Sequence, residues 1–256
     1  KGKYIPPVME DLYHKMATAT DDVVFPGCVA IFIGVNKDYS DKPAFASYLL
    51  TKKQSEHLTG NYHQGISVQV RNKLYPDCAP KGKSVLYIAY LSRESDWLTL
   101  DHQNTPDLDT STSNNKVKRR RTVAYRLAKK QVGQYITNYL EQHYPDLSNH
   151  IEYIDIATPL TSRRYTGNQK GSIFAWNPFC DEIEALEKYN SRHGPTLPKL
   201  KNFYMAGQWS VTGGLTRAAA TGRHAVQYIC KDAKQPFKTK PLSAVQTADL
   251  ISDEVA

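Results

Sequence analysis

Residues 202–230, NFYMAGQWSVTGGLTRAAATGRHAVQYIC, contain the most specific pattern in this sequence. Phe203 to Ala206 is a short apolar run typical of a strand, and it ends at Gly207. A loop with Gly213 and Gly214 follows, and the residues after it are mostly small, with three consecutive alanines that favour a helix. The pattern therefore predicts a strand, a glycine-bearing loop and a helix in close succession.

The start of this helix has the properties of a binding cradle. The first turn of a helix leaves backbone N–H groups without partners and has about half a positive charge, which suits an anion or an electron-rich carbonyl. Glycines beside it remove the Cβ atoms that would keep a ligand at a distance. Gly222 lies inside the helix, where glycine costs about 1 kcal/mol relative to alanine, so we expect it to serve close packing or a ligand. On spacing alone, an ordinary and tightly packed βα unit explains the pattern equally well.

The same residues resemble the C-terminal flavin-binding motif of the FAD-dependent carotenoid desaturase, carotenoid isomerase and retinol saturase family. The matching motifs are Ala206-Gly207, Gly213-Gly214-Leu215, Ala218-Ala219 and Thr221-Gly222-Arg223. Weaker likenesses lie upstream, at residues 33–38, 77–82, 155–161, 164–168 and 171–176. In combination, the resemblance covers about Val29 to Asp232.

The resemblance implies that this unit contacts FAD. The N–H groups of Gly214, Leu215 and Thr216 would face the N1/C2 carbonyl edge of the flavin and stabilise negative charge there when the ring is reduced. Gly207 and Gln208 would line the ribityl side. Gly213 completes the implied set of cofactor-binding residues, and NAD(P) stays open as a second cofactor.

The sequence departs from the family pattern at several positions. Thr212, Thr216 and Arg217 stand where family members commonly have proline or glycine, which leaves the backbone cradle intact. Gln208 occupies a position that is often acidic in related flavoproteins, and its amide can still donate or accept a hydrogen bond.

One motif of such enzymes is absent from these 256 residues. The ADP half of FAD is normally held by an N-terminal βαβ unit with the motif GxGxxG, and none of the fourteen glycines forms one. We therefore expect a C-terminal fragment of a longer enzyme, inactive by itself. The expected fold is α+β, from an α/β parent. It comprises a substrate-binding region with a mixed sheet and helices (1–198), a strand-loop-helix that completes a Rossmann-like FAD domain (199–232), and a poorly ordered tail (233–256).

The implied substrate is an extended apolar polyene or isoprenoid whose C=C bonds are desaturated, saturated or isomerised, which is CH–CH oxidoreductase chemistry. Tyr165, Trp176 and Trp209 are candidates to line the flavin or substrate cavity, although each is as readily a core aromatic. Arg163 and Arg164 could meet a cofactor phosphate, but a solvated or structural pair is favoured. No side chain is assigned as a catalytic acid or base.

Composition limits the partners. The 33 basic against 25 acidic residues give a net charge of +8, which is compatible with nucleic acid, anionic lipid or phosphate-bearing ligands. We expect a lipid-like substrate, no nucleic acid, and a cytoplasmic protein with peripheral membrane association left open. Four cysteines without a CxxC pair, and histidines without HxxxH spacing, indicate buried reduced thiols and no metal site.

Periodicity predicts most of the remaining elements. Strands are expected at 28–35, 65–71, 84–91 and 151–157, with 65–71 and 84–91 forming a hairpin. Helices are expected at 122–143, ended by Pro145, and at 181–189. Residues 110–121 are expected to form a basic loop leading into the first helix, and residues 158–178 are interpreted as a polar, glycine-containing and aromatic segment.

Two other functions stay open at this point. A flavin amine oxidase-like enzyme would use the same cradle, although the segments at 158–161 and 164–168 argue against it. A non-catalytic ligand-binding or interaction domain would explain the missing GxGxxG without a longer parent, and a nucleic-acid module would use the positive charge.

Overall fold

The structure, a computed structural model, describes residues 23–61, 64–102, 121–177, 194–197, 200–210 and 214–239, with single positions 7, 10, 14, 181, 184 and 188. Its strands are β1 (Gly27–Val35), β2 (Phe45–Leu49), β3 (Gly65–Val70), β4 (Ser84–Ser92), β5 (Ile151–Ala157), β6 (Thr196–Leu197) and β7 (Leu200–Tyr204). Its helices are α1 (Lys52–Ser55), α2 (Arg71–Leu74), α3 (Glu94–His102), α4 (Val123–Leu140), α5 (Pro159–Thr166) and α6 (Leu215–Asp232). The predicted α+β class is confirmed.

The first five strands form one sheet in the order β2-β3-β4-β1-β5. Every neighbouring pair is antiparallel, so this sheet does not have the mixed strand directions that the sequence suggested. In the register, Ile31 of β1 lies opposite Ile88 of β4 and Ile156 of β5. Because side chains alternate across a strand, these three residues share one face of the sheet, and all three are buried.

Helix α4 covers that face and closes the core. The Thr122 side chain accepts a hydrogen bond from the Tyr125 N–H and caps the helix. Its buried residues recur at helical spacing: Tyr125, Ala128, Val132, Gly133, Ile136, Thr137 and Leu140. They pack against the alternate residues of β1, β3 and β4 in a single hydrophobic cluster. The helix predicted at 122–143 is thus confirmed, with slightly narrower bounds.

Most predicted strands are confirmed, and several elements were missed. Strands β1, β3, β4 and β5 lie where the sequence predicted them, and β3 and β4 pair as neighbours. Strand β2 and helix α3 had not been predicted. No element had been predicted in the polar segment 158–178 either, and it contains α5, which starts at Pro159 and ends before Gly167 in the left-handed conformation.

The C-terminal unit forms a separate small sheet. Strand β7 begins and ends earlier than the predicted 203–206, and it pairs antiparallel with the two residues of β6. Helix α6 follows as predicted, with Ala225 as its buried residue. Of the predicted helix at 181–189, the described positions 181, 184 and 188 are helical. Residues 110–120 and the tail beyond 239 lie outside the described residues.

Candidate functional site

Gly207 and Gly214 lie on either side of the loop that joins β7 to α6. Their φ angles are +99° and +110°, a region that residues with a side chain rarely adopt. A Cβ built at either position would meet no atom of the described residues within 4 Å. The backbone conformation therefore requires glycine at both positions, and the described residues leave the space beside both open, as a ligand cradle needs. Gly213 lies outside the described residues.

Helix α6 presents an uncapped N-terminus beside these glycines. No side chain of the described residues caps it, and its first internal bond joins the Ala218 N–H to the Gly214 carbonyl at 2.9 Å. The N–H groups of Leu215 and Thr216 precede that bond and have no acceptor within the helix. Leu215 is 90% exposed, so the positive end of the helix dipole lies at the surface of the described structure.

Gly222 has no close neighbour among the described residues. A Cβ at this position would meet none of their atoms within 4 Å. Since a mid-helix glycine lowers helix stability, the expectation that this glycine serves close packing or a ligand stays a prediction.

A threonine of α6 holds the cradle loop against the helix. The Gly207 N–H donates to Thr221 Oγ1 at 2.8 Å, and the Thr221 hydroxyl donates to the Ala218 carbonyl at 2.7 Å. Ser210 Oγ donates to the Gly207 carbonyl at 2.7 Å and tightens the turn. Thr221 appears in the sequence only as part of the Thr-Gly-Arg motif, and its structural role depends on the fold of the loop.

Asn168 connects the cradle loop to the segment after α5. Its Oδ1 accepts weak hydrogen bonds from Gln208 Nε2 at 3.3 Å and Trp209 Nε1 at 3.4 Å. Its Nδ2 donates to the Ser172 carbonyl at 3.0 Å. Asn168 belongs to one of the segments of the resemblance, but its role could not be predicted, because a polar residue after a helix-ending glycine is common in any turn.

The structure brings together two of the three predicted lining aromatics. Trp176 is fully buried and donates from Nε1 to the Trp209 carbonyl at 2.9 Å, and the two rings lie perpendicular at 5.1 Å. A bridge between Val24 and Trp176 joins this pair to the chain entering β1. Tyr165 lies apart, 78% exposed, with the Arg164 guanidinium over its ring. The lining role of all three stays a prediction.

Arg163 has a structural partner. Its guanidinium donates to Glu94 Oε1 at 3.0 Å and joins α5 to α3. The Glu94 side chain is buried, so the arginine compensates a carboxylate that would otherwise be costly to desolvate. The structural interpretation of Arg163 is confirmed.

The described residues cover the sheet face opposite α4 only in part, and aromatic side chains line some of it. One row across this face is Phe45, Gln69, Tyr87, Phe32 and Asp155. The next row is made of small residues: Ser47, Ser67, Ala89, Ala30 and Ala157. The Phe32 and Tyr87 rings are 5.1 Å apart. This face therefore has a shallow band of small residues next to a row that contains the Phe45, Tyr87 and Phe32 rings.

Two ionisable groups of this face, Tyr87 and Cys28, favour their neutral forms. Burial raises the pKa of the Tyr87 hydroxyl, and burial also raises the pKa of the Cys28 thiol. The aromatic row itself contains charged groups, because the Arg71 guanidinium lies 5.9 Å from the Tyr87 ring centroid and Asp155 ends the row on β5. The band of small residues beside it has no charged side chain, so this band suits an uncharged, apolar ligand.

The described residues contain no group of three or more His, Cys, Asp and Glu side chains placed to hold a metal ion. Within the same ranges, no helix is long and apolar enough to span a bilayer. The three described cysteines are free, but Cys78 is exposed, so the prediction of buried thiols is wrong at this position.

Comparison with known proteins gives one informative relative. No model of a protein family matches the chain. The chain is 24% identical over 213 residues to the all-trans-retinol 13,14-reductase of Danio rerio, a match that covers 76% of this chain. It spans only 32% of the length of that reductase.

Proposed function

We propose that this chain is the substrate-binding region and the C-terminal flavin-contacting part of a longer FAD-dependent oxidoreductase. Its substrate is an extended apolar polyene or isoprenoid, and its reaction changes C=C bonds. The observation that carries this proposal is the open cradle of Gly207 and Gly214 at the uncapped start of α6. The similarity to a reductase named for retinol, a polyene alcohol, supports the substrate class.

The residues present fit the flavin ring. The N–H groups of Gly214, Leu215 and Thr216 would donate to the N1/C2 carbonyl edge, where the helix dipole favours negative charge. Gly207 and Gln208 would hold the ribityl side, and the missing Cβ atoms allow the ring to approach the backbone. When bound, the flavin supplies hydride or electron exchange with the substrate.

The ADP half of the cofactor would be held by a region outside this chain. The 256 residues contain no GxGxxG motif. Helix α6 exposes Val226 and Ile229, apolar residues that an adjoining flavin domain would cover. In this proposal the isolated chain is inactive, and NAD(P) is a candidate hydride source for the full enzyme.

The open face of the sheet is the proposed wall of the substrate site. Its central band of small residues leaves room for a flat, elongated molecule, and the Phe32 and Tyr87 rings offer apolar contact along it. The neutral state of Tyr87 and Cys28 avoids the desolvation of a charge when an apolar substrate covers them.

The test is flavin retention by the full-length protein. Gly214→Val would place a branched side chain in the cradle, and we expect the purified variant to lose most of its flavin absorption. Gly82→Val is the matched control, because Gly82 also has a positive φ and open surroundings but lies in a different turn. A wild-type protein without flavin, or equal retention by both variants, would contradict the proposal.

A further inference from the structure

The turn between β3 and β4 exposes apolar side chains at one end of the sheet. Leu74 and Tyr75 are 49% and 59% exposed, and Phe45 on the neighbouring strand β2 is exposed as well. The turn has a defined backbone, because the Tyr75 N–H donates to the Arg71 carbonyl and the Cys78 N–H to the Tyr75 carbonyl. We refer to residues 71–83 as the 71–83 tip.

Basic residues are frequent in the same turn as these apolar side chains. The 71–83 tip contains four basic residues (Arg71, Lys73, Lys81 and Lys83) and one acidic residue (Asp77), a net charge of +3. Lys83 is neutralised by Glu152 at 2.7 Å. Lys73 and Lys81 are exposed, and within the described ranges of the chain neither takes part in an ion pair. The Lys73 ammonium reaches the Lys42 carbonyl at 2.9 Å instead.

We propose that the 71–83 tip docks on an anionic lipid membrane. Leu74 and Tyr75 enter the headgroup region, where a leucine loses apolar contact with water and a tyrosine keeps its hydroxyl hydrated. Lys73 and Lys81 lie beside them and contact the anionic headgroups. An apolar centre with a basic rim matches a bilayer surface better than a nucleic acid, whose phosphates contact charged and polar groups.

The docking site adjoins the proposed substrate wall. The Arg71 guanidinium lies over both the Tyr75 ring, at 5.1 Å, and the Tyr87 ring, at 5.9 Å. Phe45 begins the aromatic row of the open face at the same end of the sheet. A lipid-like substrate could thus pass from the bilayer to the open face along aromatic side chains. This route rests on the proposed function, whereas the docking does not.

The test is cosedimentation of the 256-residue chain with phosphatidylcholine vesicles, with and without phosphatidylserine. We expect binding to require phosphatidylserine. Leu74→Ser/Tyr75→Ser should bind about tenfold more weakly, and Lys73→Gln/Lys81→Gln about 30-fold more weakly, since each lysine contributes near an anionic surface. Circular dichroism checks that each variant folds.

Two double variants are matched controls. Val123→Ser/Leu127→Ser removes an apolar pair on α4 that is 62% and 53% exposed, and Lys52→Gln/Lys53→Gln removes two exposed lysines of α1. Both should bind vesicles like the wild type. Wild-type binding to RNA but not to vesicles, or equal vesicle binding by all variants, would overturn the proposal.

A second measurement does not rely on loss of binding. Tyr75→Trp should show a blue-shifted fluorescence when phosphatidylserine vesicles are added, relative to the wild type, and an unshifted spectrum would contradict insertion of the tip. Neither assay requires flavin. A chain that binds vesicles while the full-length protein retains no flavin would therefore refute the proposed function and leave the docking intact.

Discussion

Replacing Gly171 by alanine should destabilise the chain more than the same change at Gly167. Both glycines have left-handed φ angles, +64° and +71°. A Cβ at Gly171 would lie 2.1 Å from the Pro159 carbonyl oxygen and 2.8 Å from its carbon, whereas a Cβ at Gly167 would meet nothing within 4 Å. The pair therefore separates backbone strain from a steric clash with backbone atoms.

The expected difference follows from these distances. Alanine in the left-handed region costs roughly 1–2 kcal/mol, and this cost applies to both variants. At Gly171 the clashing backbone must also move by more than 1 Å to reach the 3.4 Å of ordinary contact. Overpacking of this kind costs typically about 1–3 kcal/mol. We expect Gly167→Ala to lower the free energy of unfolding by about 1–2 kcal/mol and Gly171→Ala by about 2–5 kcal/mol.

Urea denaturation followed by tryptophan fluorescence measures both values. Flavin retention by the full-length protein is a second measurement, because Gly171 is linked to the cradle loop. The Gly171 N–H donates to the Asn168 carbonyl at 3.1 Å, and Asn168 contacts Gln208 of that loop. A displaced Gly171 should therefore reduce flavin retention in the full-length protein, and Gly167→Ala should not. Equal losses of stability in the two variants would refute the packing of this segment on α5.

Two further predictions concern stability. Burial raises the pKa of the Tyr39 hydroxyl to about 12 from its ordinary value of 10. The neutral hydroxyl therefore contributes fully to the free energy of unfolding below pH 10, and this contribution is lost as the pH rises through 12. The free energy of unfolding should fall more steeply over that range in the wild type than in Tyr39→Phe, and parallel profiles would contradict this. Arg163→Gln should lower the free energy of unfolding by about 1–3 kcal/mol, because it leaves the buried Glu94 carboxylate unpaired. The double variant with Glu94→Gln should recover part of the loss in urea denaturation, and no recovery would indicate that the ion pair is not the cause.

The local pattern of apolar residues predicted the strands and helices that bury one face in the core. Strand β3 and helix α4 each have apolar residues at a single regular spacing, since each packs against the core with one face or stripe. Strand β2 was missed because it is a short edge strand, partly exposed on both faces, so its pattern is weak. Helix α3 was missed because its buried positions include Glu94 and Asp101, whose arginine partners lie far along the chain. No local pattern reveals that an acidic residue will be buried.

By itself, the sequence determined that a strand, a glycine loop and a helix follow one another at 202–230, because glycine and alanine content acts through local backbone preferences. Only the tertiary structure decided that Gly207 and Gly214 adopt positive φ angles beside open space, and that Asn168 contacts the loop from a position 40 residues away. It also decided which sheet face α4 covers and which face the described residues leave partly open. These features depend on contacts between distant segments, and such contacts form only when the whole chain packs.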